Sequence, residues 1–317
     1  MRIIGTGSAT PKKTITNDML ATFLDTSDSW ITERTGIKQR QIMSEGESLE
    51  ALAVEAAKSA IENAGVTANE INYIICSNTA KEMLAPTLSS IIVGGIGTQC
   101  PCMDINAACA GFIFALDLAD SLLSSGKAEN ILIVCAEEPT RMVDWNDRST
   151  CVLFGDGAGA VVVSKGGEEC TIKTNTVSKP EVLYYRSALQ PTPFQGEEEC
   201  TALRMNGQEV FKYAVSSSLH DIQSLLRSRN IDKENVKYYL LHQANVRIID
   251  AIHHYMKVDE CKFPRNIAKY GNTSSASIPI LLDELNRAGG LESGDWLVMS
   301  AFGAGFTSGA LLIKWDK

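Results

Sequence analysis

With 317 residues, 44% of them hydrophobic and 21% charged, the chain has the make-up of a globular protein large enough for two domains or one large α/β unit. Its formal net charge of −9 and pI near 5.1 argue against non-specific nucleic-acid binding and against a basic membrane-facing patch. The nine cysteines, an odd number without regular spacing, fit a reducing cytoplasmic setting better than a disulfide framework, and the lack of any apolar run of about 18 residues predicts no membrane-spanning helix.

The chain starts directly in a strand at residues 2–4, without the long apolar region of a signal peptide. Thr16 or Asn17 caps a first helix. A second short helix starts at Thr26 or Ser27, carries Trp30 and Arg34, and stops at Gly36. Ser48 opens a long amphipathic helix ending at Gly65. A short strand over 72–76, a loop over 78–86 and another helix follow. Cys100 and Cys102 read as strand residues, because no second pair or nearby histidine completes a zinc site.

Next comes a strand-to-helix corner, Asp104-Ile-Asn-Ala-Ala-Cys-Ala-Gly-Phe-Ile-Phe-Ala-Leu116. Small residues let the backbone turn sharply there, with Cys109 in their midst. The unpaired N–H groups of a helix N-terminus favour an anion, so this thiol is expected to ionise more easily than a free one. A buried, inert cysteine is the competing reading. Residues 130–136 form a near-continuous apolar strand, as expected where helices cover both faces of a sheet. The glycine-rich turn at Phe154-Gly-Asp-Gly is followed by a strand rather than a helix, which rules out a dinucleotide fingerprint.

Residues 165–170 mark the boundary between two halves, 1–168 and 169–317. Residues 177–202 read as an irregular polar excursion. A helix over 207–228, a strand over 236–241 and a helix over 244–256 follow. A small-residue corner at 270–279 leads into a helix to about 288. Strands over 295–301 and 308–315 flank Phe302-Gly-Ala-Gly-Phe306. Each half ends in a glycine-rich turn between two strands, which hints at duplication.

Of the four histidines, His220, His253 and His254 sit in helix patterns and read as solvated. His242 differs, because it ends an apolar strand, where active-site groups of α/β folds gather. Asn272 sits in its own turn and is open to a purely conformational reading. Cysteine, histidine and asparagine together point to a cysteine nucleophile with polarising partners. Papain-like hydrolases use the same three residue types, so spacing alone leaves hydrolysis and acyl transfer both open.

Ala107-Ala-Cys-Ala-Gly-Phe112, Leu241-His-Gln-Ala-Asn-Val-Arg-Ile-Ile249 and Tyr270-Gly-Asn-Thr-Ser-Ser-Ala-Ser-Ile-Pro279 resemble the three active-site motifs of the β-ketoacyl-acyl carrier protein synthase III family. Thr26-Ser-Asp-Ser-Trp-Ile-Thr-Glu-Arg-Thr-Gly-Ile37, Phe154-Gly-Asp-Gly-Ala-Gly-Ala160 and Ala301-Phe-Gly-Ala-Gly-Phe306 match it too, so the resemblance spans nearly the whole chain. It implies a thiolase-like α/β fold of five layers, α-β-α-β-α, built from two pseudo-duplicated halves, and a homodimer. It also implies the reaction: an acyl-CoA primer acylates the cysteine, malonyl-acyl carrier protein loses carbon dioxide, and its carbanion attacks the acyl thioester to start fatty acid synthesis.

By this resemblance Cys109, His242 and Asn272 are catalytic, and the backbone N–H groups of Cys109 and Ala304 form the oxyanion hole. Phe302 shields the cysteine. Trp30, Arg34, Arg148 and Asn245 bind CoA, and Ala85 faces the acyl pocket of the partner. Lys212, Arg247 and Lys257 dock the carrier protein. The CoA thioester is a substrate, and neither cofactor nor metal is implied.

Three departures stand out. Ala304 replaces a frequent glycine, which is acceptable only if its φ is negative. Ala85, in the loop Lys81-Glu-Met-Leu-Ala85, is smaller than the residue many relatives carry, predicting room for a primer longer or more branched than acetyl. His254-Tyr255 replaces paired lysines, weakening the carrier-docking patch. A condensing enzyme of a specialised pathway is the alternative, and a non-catalytic partner subunit is disfavoured because all three reactive residues are present.

Overall fold

The computed structural model describes residues 1–79, 83–167, 170–187, 193–194 and 201–317. The expected boundary between positions 168 and 169, and positions 81–82 of the loop before Ala85, lie outside the described residues.

Two main sheets organise the chain. The first joins Arg2–Ala9, Gly157–Ser164, Asn130–Glu137, Tyr73–Ser77 and Cys102–Ile105 in that spatial order. Its first two pairings are antiparallel and its last two parallel. The second joins Thr171–Thr176, Thr307–Lys314, Trp296–Gly303 and Val236–Leu241, with two antiparallel pairings and then a parallel one. Order and direction therefore repeat between the sheets. The repeat is one of hydrophobic pattern and topology, which explains why the sequence carries only an echo of it.

Three hydrophobic clusters separate five layers. Leu49–Ala64 covers the outer face of the first sheet, burying Leu52, Ala53, Ala56, Ala57 and Ala60 against Ile74, Leu132 and Val162. Gly207–Ser228 and Val246–Met256 cover the outer face of the second, with Ile222, Leu225, Ile249 and Ile252 against Tyr239, Val298 and Leu312. Between the sheets lie Gly111–Ser124 and Ser277–Arg287. There Phe112, Leu116, Ile278 and Leu282 pack against Ile75 and Ile133 on one side and Leu240 and Met299 on the other. This is the five-layer thiolase-like arrangement, and it explains why Ile131 to Ala136 are all fully buried: both faces of that strand are covered.

The helix caps follow the expected side chains. Thr16, Ser27 and Ser48 accept hydrogen bonds from the N–H groups of Met19, Trp30 and Ala51 at 3.3, 3.1 and 3.1 Å. The helix expected from 244 begins at Val246, because the Asn245 side chain caps it by accepting from Arg247 N–H at 2.9 Å. The polar excursion holds a small hairpin, Leu183–Arg186 with Thr201–Met205. Its strands are only four and five residues long and only Leu203 is buried, so no apolar alternation announced them. The edge strand Thr171–Thr176 was hidden for the same reason.

Candidate active site

The nucleophile corner differs in geometry from the expected helix start. Cys109 lies in a 3-10 turn, Ala108–Ala110, just ahead of the helix Gly111–Ser124, with Ala108 at a φ of 50°. The turn is possible because its neighbours are bare backbone. A Cβ on Gly111 would lie 1.9 Å from Ser77 Oγ, and one on Gly303 would lie 2.8 Å from the Cys109 nitrogen. The second glycine thus brings the 303–305 backbone against the cysteine. Ala304 is not among the residues with positive φ, whereas Gly305, at 131°, is. The condition for alanine at 304 is therefore met.

His242 ends the strand Val236–Leu241, its N–H bonded to Ser300 O at 2.9 Å. Its Nδ1 lies 2.7 Å from Ser277 Oγ, and that oxygen also receives Gln243 N–H at 3.3 Å. While accepting Gln243 N–H, the Ser277 hydroxyl can donate its own proton to Nδ1, and that is the tautomer we assign. That leaves the imidazole proton on Nε2, as a donor toward the cavity. Burial holds the His242 pKa down to about 3, so the ring is neutral at physiological pH. The Phe302 ring meets it edge-on, with centroids 5.3 Å apart.

Asn272 pairs with Phe154 in an isolated parallel β-bridge, ahead of the second central helix. Its N–H donates to Leu153 O at 2.8 Å and its carbonyl accepts from Gly155 N–H at 3.1 Å. The side-chain oxygen accepts from Ser274 N–H at 2.8 Å, which assigns the amide NH₂ as the group left to donate. Buried Arg40 braces the 153–155 segment beneath this loop, donating to Val152 O at 2.8 Å and to Asn17 Oδ1 at 2.8 Å.

Cys109, His242, Asn272, Phe302, Ala304 and Asn245 all line one cavity of about 780 Å³, whose walls include apolar Met142, Leu203 and Phe211. Leu84, 72% exposed, also lines it, whereas Ala85 beside it is exposed and does not. The Cys109 thiol is not made acidic. Burial pushes it up to about 12; the Ser274 hydroxyl pulls it back in part, and the Glu137 carboxylate adds to the rise. The expectation from the helix end fails because desolvation with no cation alongside outweighs the helix end.

The remaining candidates lie outside the cavity. Trp30 is half-buried and packs against an apolar cluster that also contains Met142 and Leu203 of the cavity wall. The Arg34 and Arg148 guanidiniums lie 4.5 and 5.1 Å from its ring centroid. Arg148 also pairs with Asp25 at 3.0 Å. At 5.1 Å there is no room for a base between Arg148 and the indole. Lys212, Arg247 and Lys257 are exposed on or at the ends of the two outer helices.

Sequence reasoning passed over Glu137, Ser274, Ser277 and Arg40. The two serines lay inside the segment 270–279, and Glu137 at the end of an apolar strand, where a carboxylate is a signal in itself. Arg40 carried none. Among the described residues no helix is long and apolar enough to cross a membrane, and no cluster of metal-ligating side chains is found.

Residues 103–180 match the family 3-oxoacyl-[acyl-carrier-protein] synthase III, and residues 226–315 match its C-terminal domain. A β-ketoacyl-[acyl-carrier-protein] synthase III from Xanthomonas axonopodis pv. citri is 41% identical over 99% of this chain and 98% of its own. The crystal structure of 3-oxoacyl-[acyl-carrier-protein] synthase III from Aquifex aeolicus is 40% identical, covers 99% of both chains and superposes with a TM-score of 0.92. The priming β-ketosynthase of the R1128 polyketide pathway is 31% identical, covering 100% of this chain and 96% of its own, also with a TM-score of 0.92. With two domain matches in chain order and relatives aligned end to end, this chain belongs to the β-ketoacyl-acyl carrier protein synthase III family.

Proposed function

We propose that the protein is an acyltransferase that joins an acyl-CoA primer to malonyl-acyl carrier protein, initiating fatty acid synthesis through an acyl-Cys109 intermediate. Family membership supports the reaction class. The observation that carries the assignment of roles is the pair of pinned donors. Ser277 occupies one face of His242 and Ser274 one side of Asn272, leaving Nε2–H and an amide N–H for the cavity. Two neutral donors suit the enolate-like oxygen that forms as malonyl loses carbon dioxide. The N–H groups of Cys109 and Ala304 serve the oxyanion formed at the acyl thioester. Phe302, against the imidazole, holds water away.

Trp30, Arg34 and Arg148 bind the nucleotide end of CoA, with Arg148 swinging off the indole as the purine stacks. Asn245 meets the pantetheine arm. Lys212, Arg247 and Lys257 dock the acidic carrier protein; on a chain of net charge −9 such attraction must be local. The enzyme works as a cytoplasmic homodimer, and exposed Met83 and Leu84, beside Ala85, suit burial against a second copy. No cofactor, nucleic acid or membrane takes part. The likeness to a polyketide priming synthase keeps open a second reading, the same chemistry with another primer.

Purified protein mixed with acyl-CoA and malonyl-acyl carrier protein should yield a β-ketoacyl product; free acid would indicate a hydrolase instead. The same assay run with acetyl-, butyryl- and branched-chain-CoA tests the primer. Because position 85 is small, the longer or branched primers should acylate Cys109 at least as fast as acetyl-CoA, and strict preference for acetyl would refute that expectation.

A further inference from the structure

Behind the cysteine lies a carboxyl group with no part in the chemistry above. Glu137 ends the strand Asn130–Glu137 and is completely buried. Its Oε2 accepts Thr79 N–H at 2.9 Å, and its Oε1 accepts the Ser275 hydroxyl at 2.6 Å. Ser274 Oγ lies 3.1 Å from that same Oε1 and 3.4 Å from Cys109 Sγ. Ser274 is held there in the left-handed region, at a φ of 53°, where a residue with a side chain is strained. A serine hydroxyl has one proton and two lone pairs. When it donates to the carboxylate, a lone pair faces the thiol; when it donates to the sulfur, a lone pair faces the carboxyl.

A thiol must lose its proton to become a nucleophile, and no group of the acyl-transfer site takes it. His242, held to a pKa of about 3, is too weak a base for a thiol held near 12, and its Nδ1 is occupied by Ser277. Building on the acyl-transfer reading, we propose that Glu137 takes the Cys109 proton through the Ser274 hydroxyl during primer transfer and returns it during condensation. In the first half, the S–H bond breaks as Ser274 Oγ accepts the proton, and the proton of the Ser274 hydroxyl passes to Glu137 Oε1. The sulfur electron pair attacks the acyl carbonyl, and CoA leaves as a thiolate that takes a proton from water. In the second, the malonyl carboxylate leaves as carbon dioxide and the carbanion attacks the acyl thioester. The expelled Cys109 thiolate recovers its proton from Glu137 by the reverse path. One solvent proton is consumed per turnover.

Burial raises the Glu137 carboxyl to about 7, against the pull of the Ser275, Thr79 and Ser274 hydrogen bonds, so the acceptor ionises where it can work near neutrality. The titratable groups around it are the thiols of Cys135 on its own strand, Cys76 on the adjacent strand and Cys109 at the corner, all kept protonated by burial. Asp104 acts on Cys76 from the next strand, and neighbouring Glu138 pairs with Arg141 at 3.8 Å.

The test is the single-turnover rate of Cys109 acylation against pH, read by rapid quench and intact-protein mass, in the wild type, Ser274→Ala, Glu137→Gln and Ser275→Ala. The wild-type rate should rise with pH and level off with a midpoint near 7. Ser274→Ala and Glu137→Gln should be slower by about 100-fold at the wild-type plateau, and should keep climbing with pH toward thiol ionisation. Ser275→Ala removes a donor to the carboxylate, along with the acceptor of the Ser77 hydroxyl, and leaves the relay in place, so its profile should keep its shape and move to higher pH. If Ser274→Ala or a cooperatively melting Glu137→Gln keeps the wild-type midpoint and rate, the relay is wrong. If Glu137→Gln does not melt cooperatively, Ser274→Ala decides alone. A wild type that no acyl-CoA acylates refutes the acyl-transfer reading itself.

Discussion

Cys109→Ala should lower acyl transfer by on the order of 10⁵- to 10⁶-fold while leaving the protein folded. The substitution removes one sulfur from a half-buried position that opens onto a cavity, so little packing is lost. What it removes is the only atom proposed to carry the acyl group. His242 and Asn272 keep their hydrogen-bonded supports, which come from Ser277 and Ser274 rather than from the cysteine. The variant should therefore still release carbon dioxide from malonyl-acyl carrier protein, without making β-ketoacyl product. A radiolabelled malonyl assay separates the two activities. Residual condensation near the wild-type rate would remove Cys109 from the mechanism.

His242→Ala and Asn272→Ala should show the opposite split. Each removes one donor from the developing enolate oxygen, and loss of such a donor costs about 10²- to 10³-fold. Decarboxylation should fall by that factor in each single variant, while acylation of Cys109 by the primer is much less affected. The two donors act on one oxygen, so the double variant need not show the product of the single losses. The His242 pKa of about 3 adds a pH signature. A ring neutral from about pH 5 upward has no titration to impose, so the decarboxylation step should lack a bell shape centred near the ordinary histidine pKa.

The two kinds of prediction rest on information of different visibility. The helix caps at Ser27, Ser48 and Thr16 were legible because capping is local: a short polar side chain three residues ahead of an N–H suffices. The long buried strands were legible because burial on both faces leaves an unbroken apolar run. The hairpin over Leu183–Arg186 and Thr201–Met205 was not, since strands of four and five residues with no unbroken apolar run carry neither signal. The three reactive residues stood out by type and by their place at strand ends and corners. What they lean on did not. Ser277 matters only because the fold stands it 2.7 Å from a histidine 35 residues away, and Glu137 only because Ser274, 137 residues on, bridges it to sulfur.

The thiol shows the same limit. The corner at 104–116 promised an acidic cysteine from helix geometry alone. The structure supplies the opposing quantity, desolvation, and it wins: the thiol is held at about 12. That reversal moves the chemical question from how the thiolate is stabilised to where the proton goes, which is what makes Glu137 and Ser274 worth testing.

Peptide mapping by mass spectrometry after mixing the protein with an acyl-CoA, then chasing with malonyl-acyl carrier protein, bears most directly on the whole scheme. The acyl mass should sit on the peptide containing Cys109 alone, and should vanish in the chase as an equal amount of β-ketoacyl-acyl carrier protein appears. An acyl group on a different cysteine, or one discharged as free acid, would contradict it.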